Sequence, residues 1–223
     1  MTQPDLGYSV HPGVFDCSDM LSTLEALSKA DIIRTKAGAR HVLTLPVVRD
    51  LARDRRLLEL AARFVGPSPI AFRATLFDKS PTANWLVVWH QDTALPLRRC
   101  VEEPGWGPWS TKAGVIYAHA PAWALETVAA LRASLDDSTE ANGPLRVLPG
   151  SHRSGVLSDQ EIGRLAADTQ PVDCLTASGG VVAMRPLTVH ASSKSTDDNP
   201  RRVLHIEYAA SVHLAADIEL AVG

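Results

Sequence analysis

Long apolar runs and long basic runs are both missing from this chain of 223 residues. No stretch approaches the roughly 20 apolar residues that a membrane-spanning helix needs, and the N-terminus has no basic start followed by an apolar segment. The 22 basic and 25 acidic residues give a formal net charge of −3, without the basic cluster that nucleic-acid binding requires. We therefore expect a cytoplasmic protein with neither a membrane nor a nucleic acid as its partner.

Cysteine is scarce, and its spacing excludes a disulfide framework. Cys17, Cys100 and Cys174 are odd in number, far apart and outside any CxxC arrangement. We expect them to be small buried residues or free thiols. Internal repeats and coiled-coil heptads are also missing, and at 45% hydrophobic content we expect residues 1–223 to form a single domain.

The first part of the chain has a helical pattern. Ser18 or Asp19 is a candidate cap for a helix that runs to Lys36, and residues 45–64 repeat apolar residues at intervals of three and four. Two prolines follow directly. We predict that residues 1–68 form a helical support.

Beyond that support, the pattern predicts strands. Short runs rich in Val, Ile, Thr and Trp alternate with Gly, Pro and Asp clusters. These runs are Ala71–Phe77, Trp85–Gln91, Val128–Leu135, Gly180–Met184 and Arg202–Ala209. They predict a mainly β fold with flanking helices, in which residues 69–213 form a jelly roll and the N-terminal helices pack on one sheet.

One segment interrupts the strand pattern. Residues 95–121 are rich in proline and contain Trp106 and Trp109. We predict a long loop there, and loops of that length in compact domains are usually functional or disordered.

Three side chains have the composition of a metal site. His90 and Asp92 stand two positions apart, and His190 follows 98 residues after Asp92, at the end of the apolar run 180–189. Alternate residues of an extended chain share a face, so His90 and Asp92 can bind one metal from the same side while His190 arrives from a distant strand. Two histidines and one carboxylate form the facial triad that holds non-haem Fe(II) with open coordination positions.

The segments around these residues resemble the phytanoyl-CoA dioxygenase family of Fe(II)- and 2-oxoglutarate-dependent oxygenases. The matching segments are WHQD (Trp89–Asp92), LDD and NGPLRVLPGSHRSG within Leu135–Gly155, MRPLTVHASS (Met184–Ser193) and RRVLHIEY (Arg201–Tyr208). They occur in family order across roughly residues 70–210, which makes coincidence a poor explanation although each motif alone is weak.

The resemblance implies a double-stranded β-helix of the cupin-like jelly-roll type and a defined chemistry. His90, Asp92 and His190 are then the catalytic metal ligands for Fe(II), with 2-oxoglutarate and O2 as cosubstrates and succinate and CO2 as products. Related halogenases lack the carboxylate at the position of Asp92, which disfavours halogenation. Hydroxylation of a small organic metabolite is the default reaction, and desaturation and ring formation are alternatives that use the same metal ligands.

The resemblance also places the distal carboxylate of 2-oxoglutarate on Arg201, eleven positions after His190. Arginine suits this role because its planar fork donates two parallel hydrogen bonds to a carboxylate. Arg202 points to the opposite face of a strand and shares that face with Leu204 and Ile206, so patterning alone favours an inward Arg202. We follow the family position and predict Arg201.

Other polar residues are candidates with two interpretations each. Ser192 either assists with the distal carboxylate or is a turn serine bonded to its own backbone. Lys79 is a candidate for binding the cosubstrate, and the alternative is a surface charge with a buried aliphatic stem. The candidate substrate contacts are Arg73, Trp109, Lys112 and Arg132, each of which could instead be an ordinary surface or packing residue. The basic candidates suggest a carboxylated or amino-acid-like metabolite.

Two further histidines have simpler interpretations. His152 follows a Pro-Gly-Ser turn, and in the family that segment is architecture, so we exclude it as a fourth ligand. His205 shares a strand face with Arg201 and Glu207, where a hydrogen-bonded interior histidine is the default expectation.

Two other functions fit the sequence. A cupin-like metalloenzyme would use the same fold and metal without 2-oxoglutarate. A non-catalytic jelly-roll binding module would have a degenerate site, against which the intact triad and Arg201 argue. The sequence does not determine the oligomeric state.

Overall fold

Five α-helices are present among the described residues. The computed structural model describes residues 5–223 of the chain. Its helices are α1 (Cys17–Lys29), α2 (Pro46–Ala52), α3 (Arg55–Val65), α4 (Ala122–Leu125) and α5 (Asp159–Asp168).

The helix boundaries correct two predictions. Helix α1 begins after Asp16, not at a cap on Ser18 or Asp19, and it stops at Lys29 because the backbone of the next residue is already extended. Residues 45–64 form two helices instead of one. Pro46 occupies the first turn of α2, a position where its missing N–H costs nothing. The Asp54 carboxylate caps α3 by accepting a hydrogen bond from the Arg56 N–H at 2.8 Å, which divides the apolar repeat.

The strands are short, as the turn signals predict. They are β1 (Tyr8–His11), β2 (Gly38–Arg40), β3 (Ile70–Lys79), β4 (Val87–His90), β5 (Ala94–Leu97), β6 (Trp109–Lys112), β7 (Val115–His119), β8 (Val128–Ser134), β9 (Leu145–Val147), β10 (Val172–Cys174), β11 (Val181–Met184), β12 (His190–Ser192), β13 (Arg201–Ala209), β14 (His213–Ala215) and β15 (Ile218–Glu219). All five predicted strands are present, with ends that differ by at most two residues.

Two antiparallel sheets form the jelly roll. The larger sheet has six strands in the order β1-β11-β8-β13-β3-β2, and the smaller sheet has four in the order β10-β9-β12-β4. Side chains of both sheets line one cavity, so the sheets face each other. The predicted double-stranded β-helix is confirmed.

The central strand β13 separates an apolar core from this cavity. Leu204, Ile206 and Tyr208 belong to a buried cluster that includes residues of α1, α2 and α3, and the Tyr208 hydroxyl donates to the Ala52 carbonyl at 2.9 Å. The alternate residues His205 and Glu207 line the cavity. The N-terminal helices therefore cover the outer face of the larger sheet, as predicted.

The predicted loop at residues 95–121 is wrong. Strands β5, β7 and β6 pair there as a third antiparallel sheet. The β6–β7 hairpin turns at Ala113 and Gly114, whose φ angles of 49° and 80° match the left-handed pair that a tight hairpin requires. The proline content of the segment predicted a loop because proline lacks an N–H and is tolerated in a sheet only at an edge or a bulge. Pro96 lies within β5, which is an edge strand of this sheet.

The region of residues 1–68 is also not purely helical. Strands β1 and β2 pair with β11 and β3 at the edges of the larger sheet. Strands of four and three residues are too short to show the alternation from which strands are predicted. Within residues 5–223, no helix has both the length and the apolar character needed to span a bilayer. The three cysteines are free, with Cys174 buried and the other two exposed.

Candidate metal centre and active-site pocket

The two histidines of the candidate metal site are cross-strand neighbours. Strand β4 ends at His90, strand β12 begins at His190, and the two residues are directly paired in the antiparallel register of the smaller sheet. Their ring centroids lie 4.2 Å apart. Asp92 follows just after β4, and one ligand atom from each of the three residues lies within 4.8 Å of the others. The triad thus assembles from residues that are far apart in sequence, as predicted.

Backbone carbonyl groups fix both imidazole rings. His90 Nδ1 lies 2.8 Å from the Val88 carbonyl oxygen, and His190 Nδ1 lies 2.9 Å from the Thr188 carbonyl oxygen. A carbonyl oxygen only accepts, so each Nδ1 carries the hydrogen, and each Nε2 keeps its lone pair. Both Nε2 atoms face Asp92, at 3.8 Å and 3.5 Å from its carboxylate oxygens. This orientation of ligating histidines through the other ring nitrogen is typical of metal sites.

The protonation states suit a cation. Burial lowers the pKa of His190 to about 4, although Asp92 opposes the shift, so this imidazole is neutral near pH 7. Burial opposes ionisation of Asp92, but the neighbouring imidazoles and Arg73 outweigh it and hold the pKa of that carboxyl well below its usual value. Two imidazole nitrogens and one carboxylate are available, and this donor set fits Fe(II) with open positions.

Gln91 holds the ligand segment in place, a role that the sequence analysis missed. Its side-chain amide donates to the carbonyls of Gly155 and Leu187, both at 2.8 Å, and its oxygen accepts from the Leu157 N–H at 2.8 Å. The Asp92 N–H donates to the Pro186 carbonyl at 3.0 Å. The segment between the two ligands is thereby tied to the loops that precede α5 and β12. Its position within the WHQD motif was the only available signal.

The triad opens onto a cavity of about 310 Å³ between the sheets. Its volume lies at the lower end of the range for ligand sites. The wall includes five cationic side chains, two carboxylates, the triad histidines and several aromatic or small residues. The charged residues of the wall are Arg40, Arg73, Lys112, Arg132, Arg201, Asp92 and Glu207.

Arg201 lies buried in this wall, at the first position of β13, with an exposed fraction of only 4%. Its Nε donates to the Asn142 carbonyl and its Nη2 to the Ser192 hydroxyl, both at 3.2 Å. No carboxylate of residues 5–223 lies within 4.0 Å of its guanidinium. Burial and the neighbouring Arg132 lower the pKa of Arg201 to about 10. Arg201 is therefore a charged group with donors free for an anion.

Arg202 lies on the other face and is already paired. Its guanidinium donates to both carboxylate oxygens of Asp136 at 2.7 Å. The apolar residues that share its face pack against the helices and not against the cavity. Patterning alone pointed to the wrong arginine because this fold has two interiors, an apolar core and a polar cavity.

Ser192, which accepts a hydrogen bond from Arg201, is itself bonded to the turn that precedes β9. Ser192 donates its hydroxyl hydrogen to the Gly143 carbonyl at 2.8 Å, so it is not simply a turn serine bonded to its own backbone. Gly143 has a φ of 66°, and a Cβ atom there would lie 2.2 Å from the Ser193 carbonyl oxygen. Only glycine fits this position.

Lys79 lies behind Ser192 and outside the cavity wall. Its exposed fraction is 1%, and its Nζ donates to the Ser192 hydroxyl at 2.9 Å and to the Ser193 carbonyl. The surface alternative is wrong. Any effect of Lys79 on a cosubstrate acts through Ser192 or through its charge, since Ser192 is the layer between them.

Arg73 forms a buried ion pair on the cavity wall. Its Nη2 donates to Glu207 Oε1 at 2.5 Å, and its Nε donates to the other carboxylate oxygen. Burial disfavours the Arg73 cation, but Glu207 more than offsets this, and the pKa of Arg73 is raised above its usual value. Because Arg73 already has an anionic partner, it is a weaker candidate for a substrate contact than the sequence suggests.

Lys112 and Trp109, both on the β6–β7 hairpin, have separate locations. Lys112 lines the cavity, and its Nζ lies 5.0 Å from the centroid of the Tyr117 ring. Trp109 does not line the cavity but packs against a second apolar cluster, which includes Trp106. The structure gives Trp109 a packing role.

Arg132 and His205 contact each other in the cavity wall. They are directly paired across β8 and β13, and Arg132 Nη1 donates to His205 Nδ1 at 2.9 Å. Burial lowers the pKa of His205 well below its usual value, so the imidazole is neutral. His205 is the hydrogen-bonded interior histidine that we expected, and Arg132 is a cavity residue and not an outward one.

Two further histidines, His152 and His119, have separate locations. His152 Nε2 lies 3.7 Å from an Asp5 carboxylate oxygen, in agreement with its exclusion as a ligand. His119 lines the cavity at the end of β7, and its Nδ1 lies 2.7 Å from the Thr93 hydroxyl. The sequence had no signal for His119 because its strand was interpreted as loop.

Comparison with known proteins agrees with this architecture. The model of the phytanoyl-CoA dioxygenase (PhyH) family matches residues 23–203. L-proline trans-4-hydroxylase from Streptomyces griseoviridis is 34% identical over a match covering 33% of this chain, and the chain spans only 37% of that curated relative's length. The crystal structure of EctD from S. alaskensis in its apo form superposes with a TM-score of 0.70 at 20% identity, covering 92% of this chain and 74% of EctD. HygX from Streptomyces hygroscopicus with nickel and 2-oxoglutarate bound gives a TM-score of 0.65 at 18% identity, covering 92% and 83%. With most of its length matched by the family model, the chain belongs to the phytanoyl-CoA dioxygenase family.

Proposed function

We propose that this protein is an Fe(II)- and 2-oxoglutarate-dependent dioxygenase that hydroxylates a small organic metabolite. One observation carries the proposal: the His90, Asp92 and His190 ligand atoms open onto the same cavity as the buried, unpaired cation of Arg201. Family membership supports it. A relative named as a proline hydroxylase and a structural neighbour with 2-oxoglutarate bound are consistent with it.

Each group then has a defined role. His90, Asp92 and His190 would hold the iron, which together with 2-oxoglutarate and O2 supplies the oxidising power for C–H hydroxylation and releases succinate and CO2. Arg201 binds the distal carboxylate of 2-oxoglutarate. Ser192 and the Asn142 carbonyl hold that guanidinium in position, and Lys79 adds positive charge from behind.

The cavity limits the substrate. About 310 Å³ must hold the cosubstrate and the reacting part of the substrate together. A metabolite of amino-acid size fits this limit, whereas a fully enclosed CoA thioester does not.

The direct test is cosubstrate turnover by the purified protein. With Fe(II), ascorbate and 2-oxoglutarate, we expect slow succinate formation without added substrate. Under anaerobic conditions we expect a charge-transfer absorption band when 2-oxoglutarate joins the iron. Metal binding without either signal would contradict the proposal and favour a cupin-like metalloenzyme that does not use 2-oxoglutarate.

Replacement of Arg201 by glutamine is expected to raise the Kd for 2-oxoglutarate about 10- to 100-fold, because a charge-assisted, two-pronged hydrogen bond to the distal carboxylate is lost. Isothermal titration of the metal-loaded protein measures this. Arg202→Gln is the matched control, since Arg202 contacts Asp136 outside the cavity, and its Kd should equal that of the wild type. Equal effects of the two variants would remove Arg201 from the cosubstrate site.

The charge of Lys79 is expected to make cosubstrate binding pH-dependent. Burial, together with Arg201 and Arg132, lowers the pKa of Lys79 to about 8. The ammonium is therefore mostly present at pH 7 and mostly lost at pH 9. If binding of the dianion requires this charge, its Kd rises by up to about tenfold over that range. Lys79→Met should weaken binding at pH 7 and flatten the profile, while Lys29→Met, at an exposed pair with Glu25, should leave it unchanged. A wild-type profile that is flat between pH 7 and pH 9 would contradict this role.

A further inference from the structure

Arg132 is a buried cation without an anionic partner. Its exposed fraction is 9%, and its one hydrogen bond to a described residue is the contact with His205. No carboxylate of residues 5–223 lies within 4.0 Å of its guanidinium. A buried charge that lacks a counter-ion is costly, so an arginine in this position indicates a ligand that completes the pair.

The guanidinium is held in a fixed orientation. His205 Nδ1 accepts from Nη1 at 2.9 Å, and the guanidinium carbon lies 5.2 Å from the centroid of the Phe77 ring. Phe77 also meets the His205 ring edge to face, with centroids 5.7 Å apart. The Nε and Nη2 donors of Arg132 have no partner among the described residues. Two free, parallel donors on a restrained plane match the geometry of a carboxylate.

The charge of the cavity leaves room for such an anion. Five cationic side chains and two carboxylates line the wall. Under the proposed function, Fe(II) and the 2-oxoglutarate dianion cancel in formal charge. An excess of three positive charges remains, which favours a substrate that carries negative charge.

Arg132 is separate from the cosubstrate cation Arg201. Its backbone is paired across the strands with that of His205, which lies four residues, or roughly 13 Å of strand length, beyond Arg201 on β13. Arg132 lines the same cavity as His90, Asp92 and His190. A group bound by Arg132 therefore shares that cavity with the metal ligands and is held by a different cation from the one assigned to 2-oxoglutarate.

We propose that Arg132, oriented by His205 and Phe77, binds a carboxylate of the substrate. This inference rests on the proposed function for the identity of the other ligand. It makes the substrate a small carboxylic acid, anchored in the cavity that the metal ligands line. It also gives the His205 imidazole a positioning role, since it acts through the guanidinium of Arg132.

Binding measurements with a matched pair of probes test the assignment. Cyclopentanecarboxylate and its neutral analogue cyclopentanecarboxamide are titrated calorimetrically into the Zn(II)-loaded protein, with and without 2-oxoglutarate. We expect the wild type to bind the carboxylate at least about tenfold more tightly than the carboxamide. Arg132→Gln should abolish this preference and leave the Kd for 2-oxoglutarate within about twofold of the wild type. Arg132→Lys, which keeps the charge without the fork, should retain part of the preference. Arg202→Gln is the matched control and should retain all of it.

The outcomes separate the two proposals. Equal binding of the two probes by the wild type overturns the assignment. So does an Arg132→Gln variant that loses 2-oxoglutarate affinity and keeps the carboxylate preference, because Arg132 would then serve the cosubstrate. If the wild type binds no 2-oxoglutarate but shows a carboxylate preference that depends on Arg132, the subsite stands and the proposed dioxygenase function fails. If Arg132→Gln does not fold, a carboxylate preference undiminished in Arg132→Lys overturns the two-pronged contact.

Discussion

Asp92→Ala is expected to abolish metal-dependent succinate formation and to weaken metal binding by more than about 100-fold. Loss of a group that merely supports a metal ligand typically costs 10- to 100-fold, and Asp92 is a ligand and the one anion among the three. Without it, only the two imidazole nitrogens remain as donors, and the cavity wall keeps its excess of cationic side chains. Electrostatic repulsion of the metal is then added to the lost bond. Calorimetric titration with Fe(II) under anaerobic conditions measures the affinity, and a succinate assay measures turnover.

The control for this variant is Asp173→Ala. Asp173 pairs with Arg146 at 2.9 Å, its side chain is 40% exposed, and it does not line the cavity. Its replacement should leave metal affinity and turnover at the wild-type level. Retention of tight metal binding by Asp92→Ala would show that the ion is held elsewhere, and the proposed metal centre would then be wrong.

Glu207→Gln is expected to lower the free energy of unfolding by about 3–5 kcal/mol. Removing one partner of a buried ion pair leaves the other charge uncompensated, which is much more costly than the pair itself is stabilising. The side chains of Arg73 and Glu207 are 12% and 2% exposed, and glutamine has nearly the same shape as glutamate, so the change is mainly one of charge. The total stability of a folded domain is only about 5–15 kcal/mol, which makes this a large fraction. Urea unfolding followed by fluorescence measures it.

A second glutamate on the same protein provides the comparison. Glu219 pairs with Arg98 at 2.7 Å, with side chains 29% and 65% exposed, and Glu219→Gln should lower the free energy of unfolding far less than Glu207→Gln does. Replacing both Arg73 and Glu207 by methionine should recover most of the loss, because no unpaired charge remains. Equal destabilisation by the two glutamate variants would contradict the special cost assigned to burial.

The longer strands of the jelly roll could be predicted from the sequence, but the short strands at the sheet edges could not. β3, β8 and β13 have seven to ten residues, long enough for β-branched and apolar residues to outweigh turn signals. β1 and β2 have four and three residues, and tertiary pairing at the sheet edges, not local propensity, makes them strands. The same holds for β5. Its proline predicted a loop, but antiparallel pairing with β7 makes it a strand.

The candidate site shows the same division between local and tertiary information. The spacing of His90 and Asp92 within one motif, and the family position of Arg201, located the groups that carry chemistry. The partners of these groups could not be read from the sequence, because Gln91 reaches three distant backbone groups and Arg132 meets His205 only through strand register. Arg202 illustrates the limit most clearly: the choice between two adjacent arginines depends on which face of β13 the helices cover.

The triad and Arg201 belong to opposite walls of the jelly roll, one on the smaller sheet and one on the larger. The distance between the triad and Arg201 is therefore set by the separation of the two sheets. Packing throughout the jelly roll maintains that separation, and no single contact determines it. Under the proposed function, a dicarboxylic 2-oxoacid shorter or longer than 2-oxoglutarate would not reach both ends at once, and selectivity for the length of the cosubstrate would follow from the thickness of the fold.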